Sequence, residues 1–373
     1  MHNHTFSPSH LPEVSAIRYK WIDSAKGIAI LLVLIGHSSF YNFCKAHAES
    51  NPVNYIYNFL FYATASYMPL FYVLSGYTFS KRPGALRKRF SRLLSPYIGW
   101  GCLSLLLTWL VLCIPDFSIY NLLRPAFGIL YSRFSLYPTG EFAIIPYGAA
   151  PLWFLTSLFT SYILFIAILQ TKYHSFVIGI YIAATLLLYK LPILLPWSID
   201  MAPVGAIFLY VGHFMKKRNI FSLRLSHRAI ASIILLVLYV YACQYNGKIN
   251  MSLRVFGDHH YLSCFLFIFI GTTGSFLYCI TCHILEKYKI TGVFSFLGNI
   301  SLTLLCCHSL AYYAARLFFS HISISNTFFH PSEYLFITEI TSAILFALLL
   351  KCTTKWLKRF KHSHHTANYS KLN

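Results

Sequence analysis

Long apolar segments alternate with short polar ones over most of the chain. A helix needs about 20 mostly apolar residues to cross the hydrocarbon core of a bilayer. The pattern therefore predicts an all-α, polytopic integral membrane protein with about ten transmembrane helices. Counts of nine or eleven stay open, because the sixth segment is short. The predicted spans are 24–44, 59–80, 93–114, 151–170, 175–195, 200–215, 229–246, 261–283, 293–319 and 334–351.

The composition agrees with this interpretation. Of the 373 residues, 57% are hydrophobic and only 11% are charged, whereas soluble domains carry about 25% charged residues. The net charge is +20, from 30 Lys and Arg against 10 Asp and Glu. Because these cations lie in short clusters between apolar segments, they favour contact with anionic membrane lipids rather than with nucleic acid.

The cation clusters also predict an orientation. With ten helices and both termini in the cytoplasm, most of the 30 Lys and Arg residues fall on the cytoplasmic side, as the positive-inside rule requires. The predicted organisation is a cytoplasmic segment at 1–22, a transmembrane domain at 23–351 and a basic cytoplasmic tail at 352–373. The long outer loop near 115–150 is either a re-entrant or interfacial segment over a site or an ordered connector.

The first apolar segment, "WIDSAKGIAILLVLIGH", has Lys26 near its start and His37 near its end. Eleven residues make about three helical turns, so both side chains share one helix face about 16 Å apart. A polar residue at membrane depth is expected to face the protein interior or a water-filled cavity. His37 is therefore either a functional group or a histidine that joins helices through a hydrogen bond.

A cluster of cations follows the second apolar segment, in "FYVLSGYTFSKRPGALRKRFSRLLSPY". An ordinary cytoplasmic loop would explain the number of cations. It explains less well the spacing of Arg89 and Arg92, which places both guanidinium groups on one helix face. Two arginines so placed could bind one phosphate together.

Three later segments supply further candidates. Trp153 and Phe154 in "PLWFLTSLF" are either site residues or members of an aromatic belt. His308 lies in the ninth span, seven residues after Ser301 and on nearly the same face. Glu339 is the clearest intramembrane carboxylate, and it is either functional or shallow enough to be hydrated.

Five strings occur in a characteristic order: "WIDSAKGIAILLVLIGH", "FYVLSGY", "RKRFSRLLSPY", "LWFL" and "GNISLTLLCCH". Together they resemble the motifs of the membrane-bound acyltransferase 3 family, and most nearly its fucose 4-O-acetylase-like subgroup. The resemblance extends from about Arg18 to His308. It implies about ten helices and transfer of an acyl group, usually acetyl from acetyl-CoA, to sugars of cell-surface glycans.

The resemblance also implies roles for individual residues. His37 matches the essential histidine of the family, and Lys26 matches the basic residue before it, which is an arginine in many relatives. That departure weakens any role of Lys26 that needs a bidentate contact. The other matched positions are Ser75, Gly76, Arg89, Arg92, Trp153, Phe154 and His308.

The implied function is O-acetyl transfer in the inner membrane. Cytoplasmic acetyl-CoA is the expected cosubstrate, with its phosphates near Lys26, Arg89 and Arg92, and the acceptor is a glycan or lipid-linked sugar from the outer side. His37 is either a general base or a covalent carrier of the acetyl group. Asp23 either orients a neighbour or caps its helix. We expect no permanently bound cofactor and no metal.

Two other functions remain open at this point. A transporter or flippase of a glycan or lipid-linked sugar would also need a polar cavity among many helices. A structural membrane scaffold would tolerate replacement of His37 by Gln or Leu. Transfer or hydrolysis of acetyl-CoA by the purified protein distinguishes the enzyme from both alternatives.

Overall fold

A computed structural model of the chain describes residues 19–49, 51–80, 84–114, 117–222, 224–289, 292–320 and 331–369. These parts contain α-helices, four short 3-10 helices and no β-strand, which confirms the all-α prediction. The helices are α1 Lys20–His37, α2 Ser39–Ala46, α3 Asn51–Thr64, α4 Tyr67–Tyr77, α5 Ala85–Cys113, α6 Ile119–Tyr131, α7 Trp153–Gln170, α8 His174–Tyr189, α9 Ala202–Lys217, α10 Leu225–Asn246, α11 His260–Lys287, α12 Gly292–Asn299, α13 Ser301–Ser320 and α14 Pro331–Tyr369.

Six helices of the described part are long and apolar enough to cross a membrane, and up to eight spans result if each of two bent helix pairs counts as one. The chain is thus a multi-pass membrane protein. Of the predicted spans, 59–80 and 175–195 are not among these candidates. The exact number of spans and the cytoplasmic position of both termini stay predictions.

Three predicted spans are not continuous helices. The span 24–44 bends by 61° at Ser38, and 293–319 bends by 77° at Ile300. The span 59–80 is divided at Ala65 and Ser66. The structure also extends the last helix beyond residue 351, to Tyr369, although the side chains of the basic tail from residue 355 lie outside the described part.

The helix α1 packs against α12 with no side chain between the two backbones. A Cβ atom on Gly27 would overlap the carbonyl oxygen of Phe294, and one on Gly298 would overlap the carbonyl oxygen of Asp23. Only glycine permits so close an approach. The two glycines therefore fix the position of α1 in the bundle.

The helices α4 and α9 form a second pair of this kind. A Cβ atom on Gly76 would overlap the carbonyl oxygen of Leu209, and one on Gly212 would overlap that of Val73. The helix α7 packs against α9 as well, and its residues Leu155, Tyr162 and Phe165 are buried in the same core. Buried residues of α1 and α4 belong to this core as well.

The loop near 115–150, which is predicted to lie outside, contains α6 and an ordered irregular segment, with 115–116 outside the described part. The outward face of α6 carries exposed apolar side chains such as Leu123 and Leu130. The segment after α6 is held by the backbone N–H of Tyr147, which donates to Thr108 Oγ1 at 2.9 Å. An ordered connector and an interfacial segment both fit this arrangement, so the choice between them stays open.

The N-terminal end of α1 lies beside the loop that follows α9. The rings of Trp21 and Phe221 are 4.8 Å apart between centroids, and Trp21 also contacts Tyr77 at the end of α4, at 5.1 Å. Since 216–228 is rich in Lys and Arg, this end is expected to face the cytoplasm.

Reporter fusions test this orientation. A reporter in the 216–228 loop and one at the C-terminus should both give cytoplasmic signals, because the positive-inside rule places both cation clusters there. A fusion in the loop after α6 serves as the outer control. A periplasmic signal from either of the first two fusions would contradict the topology.

Candidate active site

His37 is the last residue of α1, at the point where the helix bends into α2. Its side chain is open to a cavity of about 290 Å³ at this end of the bundle. Within the described residues its ring nitrogens make no hydrogen bond, so the imidazole is available to a molecule in the cavity. The sequence analysis placed His37 inside a continuous helix; the structure places it at a helix end.

The bend after His37 is stabilised by contacts from α13 and α14. Ser38 has an extended backbone, and its Oγ accepts a hydrogen bond from the backbone N–H of Tyr41 at 3.2 Å. The backbone N–H and the hydroxyl of Ser39 both donate to the carboxylate of Glu339, at 2.8 Å each. A continuous helix would use that N–H internally, so the carboxylate favours the break.

Arg316 completes this network. Its Nε donates to Glu339 Oε1 at 2.8 Å, and its Nη2 donates to the backbone carbonyl of His37 at 3.3 Å. Glu339 is fully buried while the Arg316 side chain is 45% exposed. Glu339 is therefore paired and not hydrated, and its contacts hold the backbone that carries His37. Further support comes from Tyr312, whose hydroxyl donates to the carbonyl of Leu34 at 2.9 Å.

His308 lies next to His37, with 5.5 Å between the ring centroids. It is fully buried, and its Nδ1 is 3.0 Å from the carbonyl oxygens of Leu304 and Leu305. Because carbonyl oxygens only accept, Nδ1 carries the hydrogen and Nε2 carries the lone pair. Within the described part Nε2 is buried without a hydrogen-bond partner. The fold thus brings together the two histidines that the sequence singled out.

The cavity beside His37 has a mixed polar and aromatic lining. Trp153 contributes to it, while Phe154 packs edge-to-face on Tyr72 at 5.3 Å. Of the predicted aromatic pair, only Trp153 reaches the cavity. The other lining residues with polar or charged side chains are Tyr41, Lys45, Tyr57, Thr64, Tyr67, Lys248, Asn250 and Ser252.

Lys26 and Asp23 lie toward the opposite end of α1 and do not line this cavity. Lys26 is partly buried and Asp23 is buried in the contact between α1 and α12. Lys26 and His37 share one helix face as predicted, because both lie on the unbroken helix α1. Their separation of about 16 Å follows from the helical rise.

Arg89 and Arg92 have different surroundings despite their spacing. Nη1 and Nη2 of Arg89 donate to the backbone carbonyls of Ser75 at 3.2 Å and Thr78 at 2.6 Å, and Nη1 also donates to the hydroxyl of Tyr162. Arg89 therefore satisfies carbonyl groups at the C-terminal end of α4. Arg92 is exposed and makes no hydrogen bond or ion pair within the described residues.

Ser75 and Gly76 act through the backbone. The carbonyl of Ser75 accepts from Arg89 and, at 3.2 Å, from the hydroxyl of Tyr162. Gly76 provides the close contact with α9 described above. Both residues thus position the end of α4 toward which Arg89 points, at the opposite end of α4 from the cavity.

The sequence analysis did not single out a buried ion triad among the connecting segments. The guanidinium of Arg133 donates to Asp200 Oδ2 at 2.8 Å, and that of Arg254 donates to the same oxygen at 2.7 Å. All three side chains are at most 1% exposed. The triad joins three connecting segments, and no local pattern in the sequence indicates such a contact. Arg316 was missed for the same reason.

The arrangement can perform acid–base or nucleophilic chemistry at one place. An unbonded imidazole opens into a polar cavity, a second imidazole with a free lone pair lies beside it, and a buried carboxylate holds the backbone. Exposed and partly buried cations lie toward the ends of α1 and α4 that are away from the cavity. These features describe an all-helical membrane protein with a cavity beside His37 that is suited to group transfer.

Residues 19–356 match the family model Acyl_transf_3, described as an acyltransferase domain. The match covers most of the chain, and the protein belongs to this family of membrane acyltransferases. No curated protein and no solved structure matches the chain significantly. Family membership favours acyl transfer over the transporter and scaffold alternatives.

Proposed function

We propose that this protein transfers an acetyl group from cytoplasmic acetyl-CoA to a hydroxyl group of an extracytoplasmic glycan or lipid-linked sugar. The observation that carries the proposal is His37, whose unbonded imidazole opens into a polar cavity. Within this proposal the protein lies in the inner membrane, modifies a polysaccharide, and is similar to the fucose 4-O-acetylase-like enzymes.

The chemistry needs one proton transfer and one acyl transfer. As the acceptor oxygen attacks the thioester carbonyl, the new C–O bond forms and the C–S bond breaks. His37 takes the proton from the acceptor hydroxyl and returns it to the departing thiolate. In the covalent alternative, His37 itself attacks the thioester and then delivers the acetyl group to the acceptor.

The neighbour His308 fits a positioning role in either mechanism. Its Nδ1–H is held by two carbonyl groups, so its Nε2 lone pair has a fixed direction. A lone pair close to the His37 ring can accept a hydrogen bond from that ring. It would thereby orient the group that exchanges the proton.

The donor is expected to enter at the opposite end, where Lys26 and Arg92 lie. Phosphate groups are costly to bury in a low-dielectric interior, so they remain at the surface while the acyl group reaches along α1. Arg92 is exposed without a partner within the described residues and is free to bind a phosphate. Arg89 is already bonded to α4, and it supports the entrance instead.

Replacing Arg92 by alanine is expected to raise the KM for acetyl-CoA about tenfold or more, since a hydrogen bond to a charged group contributes roughly 1.5–3 kcal/mol. The KM for the acceptor and the melting temperature should not change. Arg89→Ala should also lower the melting temperature, because carbonyls of α4 lose their donor. Steady-state kinetics and thermal unfolding of the purified protein measure both effects.

Arg87→Ala is the matched control, because Arg87 is exposed on the same helix as Arg92, about 1.4 turns away. It should leave both KM values unchanged. An unaltered KM for acetyl-CoA in Arg92→Ala would remove the donor assignment.

The function as a whole is tested on surface polysaccharide. Mass analysis of polysaccharide from cells with and without the protein should show loss of acetyl units in its absence. Complementation with His37→Ala should not restore them. If deletion leaves acetylation unchanged, the proposed function fails.

A further inference from the structure

The cavity beside His37 is positively charged. Two lysines line it from different elements, Lys45 on α2 and Lys248 on the segment between α10 and α11. No Asp or Glu is among the described residues that line the cavity. The nearest acid described above, Glu339, is buried and bonded to Ser39 and Arg316. Nothing in the described lining therefore neutralises the two lysines.

Both ammonium groups are available to a ligand. Lys45 and Lys248 are exposed, and neither makes a hydrogen bond or ion pair within the described part of the chain. Lysines at unconnected surface positions would be ordinary, but these two converge on one cavity that also contains His37. Like charges that share a cavity repel each other, so an anion between them relieves the repulsion.

The rest of the lining combines polar side chains with aromatic surface. Asn250 accepts hydrogen bonds through Oδ1 from the backbone of Ser252 and from its hydroxyl, at 3.1 and 2.7 Å. Its amide nitrogen donates to no other described residue. Trp153 and Phe61 add aromatic surface, and Tyr41 and Tyr57 add phenol groups. Aromatic surface together with placed polar groups is found in small-molecule sites.

We propose that the acceptor is an anionic carbohydrate whose carboxylate or phosphate group lies between Lys45 and Lys248. This inference rests on the proposed acyl transfer. Lys45 follows His37 by eight residues, which corresponds to about 12 Å or less along a helical path. The negative charge is therefore carried by the sugar that is acetylated or by its immediate neighbour. Neutral glycans would leave both lysines without a counter-charge.

The test uses the full-length protein in nanodiscs of phosphatidylcholine. The probes are an oligosaccharide that contains glucuronic acid, the same oligosaccharide with its carboxyl groups reduced, and inorganic phosphate as a competitor. Wild-type protein should bind the acidic oligosaccharide at least tenfold more tightly than the reduced one, and phosphate should compete. Equal affinity for the two oligosaccharides, together with no effect of phosphate, would overturn the proposal.

The variants assign the preference to the lysines. Lys45→Gln and Lys248→Gln should each weaken binding of the acidic probe several-fold, with little effect on the reduced probe. Lys172→Gln is the matched control, since Lys172 is exposed just after the C-terminal end of α7, the opposite end from Trp153. If the control weakens binding equally, the preference arises from overall charge, and the proposal fails.

Two further measurements are needed. One distinguishes an acidic sugar from an anionic lipid as the ligand of the lysines, and the other distinguishes failure of this inference from failure of the proposed acyl transfer. If phosphatidylglycerol in the nanodisc abolishes binding of the acidic probe, the lysines bind a lipid headgroup instead.

Slow hydrolysis of acetyl-CoA reports on the donor and His37 alone. It should be present in wild-type protein and lost in His37→Ala. If wild-type protein does not hydrolyse acetyl-CoA, the proposed acyl transfer is refuted. If it hydrolyses acetyl-CoA but does not prefer the acidic oligosaccharide, only the anionic acceptor is refuted.

Discussion

Replacing His37 by alanine is expected to lower acetyl transfer about 10²–10⁴-fold, the usual effect of removing a general base. The loss should approach completeness if His37 carries the acetyl group covalently. The folded protein should persist, because the His37 ring makes no hydrogen bond within the described residues and faces a cavity. Transfer of labelled acetyl from acetyl-CoA by purified protein measures the change, and thermal unfolding confirms the fold.

His227→Ala is the control for a general effect of losing a histidine. His227 is exposed near the start of α10, at the end of the bundle away from the cavity.

Mass analysis after a rapid quench without acceptor distinguishes the two mechanisms, since only the covalent one leaves acetyl on wild-type protein. A well-folded His37→Ala protein with near wild-type transfer would move the chemistry elsewhere, and His308→Ala would be the next variant to measure.

Replacing Asp200 by asparagine is expected to cause the largest loss of stability. The substitution leaves two buried guanidinium groups, Arg133 and Arg254, without a counter-charge. Removing one partner from a buried ion pair typically costs about 3–5 kcal/mol. That is a large share of the stability of an ordinary domain, which is about 5–15 kcal/mol. The melting temperature in detergent and the yield of folded protein should both fall sharply.

Asp258→Asn provides the comparison, because Asp258 is exposed and forms no ion pair within the described residues. It should leave the melting temperature unchanged. An Asp200→Asn protein with a normal melting temperature but no activity would show that the triad belongs to the reaction and not to the framework.

The sequence pattern predicts where helices form because helix formation in a membrane depends on local composition. Each of the ten predicted segments contains at least part of a helix. The breaks are not predictable in this way. The bend at Ser38 depends on a hydrogen bond between Ser39 and Glu339, which are 300 residues apart in sequence. A short window of sequence cannot include both residues of that contact, so it cannot predict the bend.

The candidate site likewise has features that the sequence predicts and features that depend on tertiary packing. His37 and His308 stand out because titratable residues are rare in apolar segments. Their adjacency, with 5.5 Å between ring centroids, is a result of tertiary packing alone. Helical spacing places Arg89 and Arg92 on one face, yet only the position of α4 explains why Arg89 is already bonded to its carbonyls. Folding also brings the two lysines, from different elements, to the lining of one cavity.

The glycine contacts determine which parts of the protein can move during turnover. The helices α1 and α12 touch through their backbones, and so do α4 and α9. Sliding within either pair would force backbone atoms into each other, so each pair moves as a unit. If the protein uses the acyl donor proposed above, we expect the opening that admits it to shift one pair relative to the other. Turnover would then carry His37 together with α12 past the neighbouring pair, and spectroscopic labels on α1 and α9 would report that displacement.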